Sequence, residues 1–168
     1  MNKFIADRWV QALRSGNYEQ DRGHLVTFSN DVATNERSAS FCALGVLCEL
    51  AAESQIVFRA DLLVEDVNGL YLVDEAEWYD GITDFGAYVD PLYDVQQIED
   101  HDMWVDTPFE ANAAGFAQTL PNAVRKWAEI KHELAGFASG ESVTNLNDNK
   151  RLTFDEIAAL IEKHWEEL

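Results

Sequence analysis

Residues 41–53 read Phe41-Cys42-Ala43-Leu44-Gly45-Val46-Leu47-Cys48-Glu49-Leu50-Ala51-Ala52-Glu53. From Phe41 to Ala52 only Glu49 carries a charge. A helix that is apolar on nearly every side belongs at the centre of a fold, with other elements around it. The spacing predicts a helix over 38–53. Gly45 inside it costs about 1 kcal/mol against Ala, so its presence predicts that another element approaches closely. Cys42 and Cys48 are separated by about 120° around such a helix, and no second Cys or His pair completes a zinc pattern. They read as small buried core residues. A Cys–His catalytic pair with His24, His101, His132 or His164 is set aside, because a thiol inside an apolar helix is unreactive.

Towards the N-terminus, Ile5, Trp9 and Ala12–Leu13 mark one face of a helix over 3–15, with Gly16 as its stop. The start reads as an amphipathic helix and not as a signal peptide. Residues 17–37 are polar and turn-rich, so a loop is expected there, with a short strand at Leu25–Phe28. Towards the C-terminus the period changes. Phe58, Ala60, Leu62 and Val64 alternate with Arg59, Asp61, Leu63 and Glu65, as in a strand with one buried face. Asn68-Gly69 then predicts a two-residue hairpin turn, with Leu70–Val73 as the returning strand.

Residues 74–118 show no sustained period. Residues 120–134 read as a helix, with Pro121 in its first turn and Val124, Trp127 and Ala128 on one face. Gly136 and Gly140 flank a loop. Asn147 and Asp148 read as a polar turn bonding to backbone. Thr153 and Glu156 form a capping box at the start of a last helix, whose stripe is Phe154, Ile157, Ala158, Ile161 and Trp165. The expected architecture is a single α+β domain over 1–168. About four main helices would pack with a small antiparallel sheet containing the Asn-Gly hairpin.

Charge is segregated along the chain. Thirty-one acids face 12 Lys and Arg, a formal net charge of −19. Between Ala60 and Val124 there is no Lys or Arg, while 15 acids fall there beside nine aromatics that include Trp78, Tyr93 and Trp104. Direct nucleic-acid binding is disfavoured, because phosphates need concentrated positive charge. Anionic membranes are disfavoured for the same reason. The longest apolar run is too short to span a bilayer, and two cysteines give no disulfide framework, so a reducing cytoplasm is the expected compartment.

An acidic, aromatic surface suits a basic partner, since carboxylates attract at long range and ring faces accept Arg or Lys. The candidate docking residues are Asp80, Asp84, Asp90, Asp94, Glu99, Asp100, Asp102, Trp104 and Asp106. DNA mimicry of a nucleic-acid enzyme's substrate is the extreme form, and a merely solvated acidic face is the plain alternative.

Divalent-cation binding by Asp100, Asp102 and Asp106 lacks a recognisable loop spacing. Asn145, Asn147, Asn149, Thr153 and Glu156 match a calcium-loop template weakly, because Lys150 stands where Gly belongs. No metal and no cofactor is expected. Phosphate-binding and nucleophile-elbow motifs are absent from the sequence.

Four segments carry a resemblance: Ile5–Gly16, Phe41–Leu50, Leu120–Ala128 with its Leu-Pro-Asn-Ala-Val-Arg-Lys-Trp-Ala run, and Leu146-Asn147-Asp148 continuing to Phe154-Asp155-Glu156-Ile157-Ala158. In this order they resemble a family of small uncharacterised proteins of bacteriophages and some bacteria. The chain departs from that pattern at Glu129, where the family has Gly, and in its acidic middle. The resemblance carries no catalytic residues and implies a phage-type accessory protein.

The leading expectation is therefore a non-enzymatic acidic protein that engages a basic host protein, such as a host nucleic-acid enzyme or defence factor. The alternative is a module that binds or sequesters a small molecule or nucleotide at Asn147, Asp148 and Trp127. An enzyme with an unrecognised site is third.

Overall fold

A computed structural model describes residues 1–31, 36–66, 69–72, 84–89 and 119–168. The fold is α+β. Among the described residues there are five helices, α1 (Lys3–Arg14), α2 (Ala43–Glu53), α3 (Asn122–Ala128), α4 (Val143–Asp148) and α5 (Phe154–His164). Six strands, β1 (Glu19–Gln20), β2 (Val26–Asp31), β3 (Glu36–Phe41), β4 (Phe58–Asp66), β5 (Gly69–Leu72) and β6 (Asp84–Val89), form one sheet in the order β1-β3-β2-β6-β4-β5.

The sheet is larger than expected and mixed. β1 runs parallel to β3, with Glu19 opposite Ser40, and every other pair is antiparallel. The short strand expected at Leu25–Phe28 is β2, which starts at Val26 and runs on to Asp31, pairing with β3 from Val26 opposite Phe41 to Asp31 opposite Glu36; β1 and the start of β3 also fall in the stretch expected to be loop. Strand pairing also takes residues 38–41 away from the predicted helix, so α2 begins at Ala43. β4 and β5 pair with Asp66 opposite Gly69, which makes Gly69 a strand residue. The rest of the expected Asn68-Gly69 turn, residues 67–68, lies outside the described residues.

α2 is the centre of the molecule. Ala43, Leu44, Gly45, Val46, Leu47, Cys48, Leu50 and Ala51 are all buried. Cys42 alone joins β3 to α2. It caps the helix, its Sγ accepting from the Gly45 amide at 3.4 Å, and its own amide donates to the Leu25 carbonyl at 3.3 Å. The first turn of α2 thus lies on the backbone where β2 begins. α1 packs alongside α2, and the indole of fully buried Trp9 donates to the Ala43 carbonyl at 2.9 Å. α5 packs on the other side of α1, where Arg14 pairs with Glu162 at 3.0 Å. One hydrophobic core runs from Met1 through α2 to Leu168.

The C-terminal part corrects two expectations. α3 stops at Ala128 and does not run to 134. Glu129 adopts the left-handed conformation, φ 56° and ψ 38°, with its amide bonded to Arg125 and Lys126 carbonyls. This position favours Gly, and Glu129 occupies it as a non-glycine helix stop. Asn147 and Asp148 lie not in a turn but in the short helix α4, capped by Ser142 Oγ on the Asn145 amide at 3.1 Å. The Thr153–Glu156 capping box is present at the start of α5, with both reciprocal bonds formed.

Candidate functional site

The two sets of sequence-derived site residues fall in different parts of the molecule. Of the acidic docking set, Asp84 is the first residue of β6 and stands opposite Phe28 of β2. Asp80, Asp90, Asp94, Glu99, Asp100, Asp102, Trp104 and Asp106 lie outside the described residues. So do Asp74, Glu75, Glu77, Glu110 and His101. What the structure does place is the frame on which the acidic span is carried. The span supplies β5, β6 and most of β4, which together make one half of the sheet. Among the described residues, the helices lie outside this span, except the start of α3. β6 lies between β2 and β4.

The alternative set is Asn147, Asp148 and Trp127. Asn147 is the buried polar residue of the described core, 1% exposed. Its amide nitrogen donates to the Asp21 carbonyl at 2.9 Å and to Asp148 Oδ1 at 2.7 Å. Its amide oxygen accepts from Gln20 Nε2 at 2.9 Å, and its main-chain carbonyl accepts from Arg22 Nε at 3.2 Å. Gln20 extends the network, donating to the Leu152 carbonyl at 2.8 Å and accepting from the Phe154 amide at 3.0 Å. Both amide protons and the oxygen of Asn147 are therefore engaged within the protein. The network ties β1 to the α4–α5 junction, so these residues act as a clasp between the two ends of the chain. Trp127 is half-buried against the core on α3.

The calcium-template residues are likewise committed to local structure. Asn145 Nδ2 donates to Glu141 at 2.6 Å, Asn149 Nδ2 donates to Asn145 Oδ1 at 2.8 Å, and Glu156 closes the capping box. Both cysteines are buried. Burial pushes the Cys42 thiol up to about 12, against a smaller lowering by the Gly45 amide bond, and raises Cys48 well above the ordinary thiol range. Protonated thiols in this setting are inert.

A different group of residues forms a concave site that the sequence reading did not assemble. An open cleft of about 760 Å³ is bounded by the end of α3, the 131–142 loop and the end of the chain. Arg125, Lys131, His132, Phe137, Glu141 and Glu167 are on its walls, and none of Asn147, Asp148 and Trp127 is.

Two of its carboxylates already have partners. Glu141 binds Lys150 and Asn145, and these bonds hold its carboxyl below the usual range. Glu167 binds His164 at 2.8 Å and the Ala138 amide at 2.9 Å, and is lowered for the same reason. The Phe137 ring stands edge-on to His164, with centroids 6.2 Å apart. Arg125 is fixed by Asn122 Oδ1 at 3.3 Å and the Lys131 carbonyl at 3.1 Å, while its Nε is buried with no hydrogen-bond partner. One signal for this site was in the sequence: after 65 residues without a basic side chain, Arg125, Lys126 and Lys131 return together.

Residues 1–79 match the family model of a domain of unknown function, DUF8296. The match takes in α1, β1–β3, α2, β4 and β5. It ends before the whole acidic docking set, and before the cleft and the three C-terminal helices. No curated protein matches the chain, and no solved structure does. Among the described residues, no helix is long and apolar enough to cross a membrane.

Proposed function

We propose that the protein is a non-enzymatic, acidic binding protein that docks a basic partner protein through residues 60–124. The observation that carries the reading is the segregation of charge. This span holds 15 acids with no Lys or Arg, whereas solubility alone is served equally well by mixed charge. Interleaved aromatics supply the contact area and cation-accepting faces that a docking surface needs once charge has brought the partner in. The sheet supports the reading in a second way. Three neighbouring strands, β4, β5 and β6, lie in the span, and the backbone of Asp61, Glu65, Asp66 and Asp84 is held in them, which lowers the ordering cost of binding at these four acids.

In its most concrete form the protein is a phage-type accessory factor acting in the cytoplasm of a host cell. There it occupies the nucleic-acid-binding face of a host enzyme or defence protein. Carboxylates then stand where phosphates would, and the partner's Lys and Arg side chains are satisfied by the wrong polyanion.

The test is capture from host lysate at two salt concentrations, followed by kinetics on the purified pair. The reading predicts a basic partner whose association rate falls steeply as the Debye length shrinks from about 10 Å at 0.1 M salt to about 3 Å at 1 M. A captured partner whose association rate is indifferent to salt would contradict it.

A further inference from the structure

We propose that the cleft beside α3 is a binding site for a small organic anion, a phosphate or carboxylate carried on a planar apolar body. The inference goes beyond the docking of a basic protein and does not rest on it. It starts from an imbalance. In a protein of net charge −19, Lys3, Arg8, Arg14 and Lys150 pair with Asp7, Glu53, Glu162 and Glu141, while Arg22, Lys126, Arg151 and Lys163 have no such partner among the described residues. Nor do Arg125 and Lys131, which share the cleft wall: neither has a side-chain carboxylate partner among the described residues.

Arg125 is only partly exposed, and its contacts are neutral oxygens that orient the guanidinium without neutralising it. Its buried Nε–H remains without an acceptor. A buried unsatisfied donor costs about 1–3 kcal/mol, and more on a charged group. Nε is closed to the cleft, so the fork open to a phosphate or carboxylate is the second N–H on each of the two terminal nitrogens. Lys131 and His132 add a mobile ammonium and a ring nitrogen on the same wall.

The opposing carboxylates weaken this field little. Glu141 is paired with Lys150, and Glu167 is hydrogen-bonded to the His164 ring and the Ala138 amide, which leaves Glu133 as the one lining acid whose side chain has no partner among the described residues. Phe137 provides the apolar wall, its ring held edge-on by His164. The cleft volume lies within the range of small-molecule sites, about 300–1,000 Å³.

The probes are phenyl phosphate and benzoate, with inorganic phosphate and benzyl alcohol as their anionic and neutral halves. Each is titrated into the full-length protein at physiological salt, and binding is read from the amide resonances of residues 131–142. The expected result is saturable millimolar or tighter binding of phenyl phosphate or benzoate, with both half-probes weaker. Whichever of the two binds more tightly assigns the headgroup as phosphate or carboxylate.

Lys131→Gln, an exposed change that leaves the fold intact, should weaken binding roughly tenfold, as for one lost charge-assisted hydrogen bond. Arg125→Lys keeps the charge but removes the fork, and should weaken it by at least as much. The proposal is overturned if neither aromatic anion binds at millimolar concentration, if benzyl alcohol binds as well as they do, or if Lys131→Gln binds as tightly as the parent.

Discussion

Gly45 lies against the Leu25 backbone so closely that a Cβ on Gly45 would sit 1.7 Å from the Leu25 carbonyl oxygen and 2.7 Å from its carbonyl carbon. The neighbour is main chain, held in place by the Cys42 amide on the same oxygen, so it has no side-chain rotamer through which to yield. Gly45→Ala gains helix propensity of about 1 kcal/mol. It must nevertheless separate the central helix from the start of β2, and overpacking of this kind costs about 1–3 kcal/mol or more. Urea unfolding of the variant should show a clear net loss of stability; a gain would mean that α2 and β2 do not meet in this way.

The two thiols are core groups. Cys42→Ala and Cys48→Ala should each cost about 1–2 kcal/mol through small cavities, and native protein should resist a thiol reagent at neutral pH. The linkage sign follows from burial. Cys42 rises from 9.0 to about 12 on folding, so its contribution is fully present below pH 9 and is lost as pH climbs towards the folded value. Stability should therefore fall across that alkaline window, and Cys42→Ala should flatten the fall. Rapid labelling of native protein would show the thiols to be accessible.

Asn147 joins chain ends 126 residues apart through its bond to Asp21. Asn147→Ala strips Gln20 and the Asp21 carbonyl of partners and should cost about 2–3 kcal/mol. Asn147→Asp should be worse at neutral pH, because the new carboxylate would face the Asp148 carboxylate and the Asp21 carbonyl. Repulsion raises the folded carboxyl pKa above its unfolded value, so the variant should regain stability as pH falls below about 4. Thermal melts of both variants against pH decide the point.

At the last helix, Thr153 Oγ1 accepts from the Glu156 amide at 3.3 Å while Glu156 Oε2 accepts from the Thr153 amide at 2.8 Å. Thr153→Ala should lower stability by roughly 1 kcal/mol, and calcium should not restore it. A melting temperature that rises with millimolar calcium in the parent and not in Glu156→Gln would instead favour ligation by this segment.

What could be read in advance was what is local. The apolar run of α2, the stripe of α1 and the α5 capping box each sit within a few turns of chain, and Gly45 announced a close approach by its cost alone. The apolar Leu25–Phe28 patch marked the start of β2, but its continuation and its partner β3 were hidden because their residues, such as Ser29, Asn30, Arg37, Ser38 and Ser40, are polar and show no apolar alternation. The position of β6 between β2 and β4 depends on pairing between distant segments, which leaves no local periodicity. Glu129 ended α3 early in a conformation that a glutamate does not advertise. The cleft was missed for the same reason as the sheet order: Arg125, Phe137 and Glu167 meet only after the chain has folded back. The Asn147–Asp148 segment was noticed as specific, but spacing could not show that its amide would be fully engaged with Gln20 and Asp21.

The measurement that bears most directly on the account is the association kinetics of a charge-reversed protein with its captured partner. In the variant, Glu99, Asp100 and Asp102 are replaced together by Lys. At low salt the account predicts a much slower association rate with a nearly unchanged dissociation rate, because charges at the rim steer encounter more than they hold the complex. Trp104→Ala should show the reverse pattern, with faster dissociation. Circular dichroism of both variants should match the parent. A charge-reversed protein that folds and keeps the parental association rate and affinity at low salt would contradict the account, and would leave residues 60–124 as a solvated acidic face.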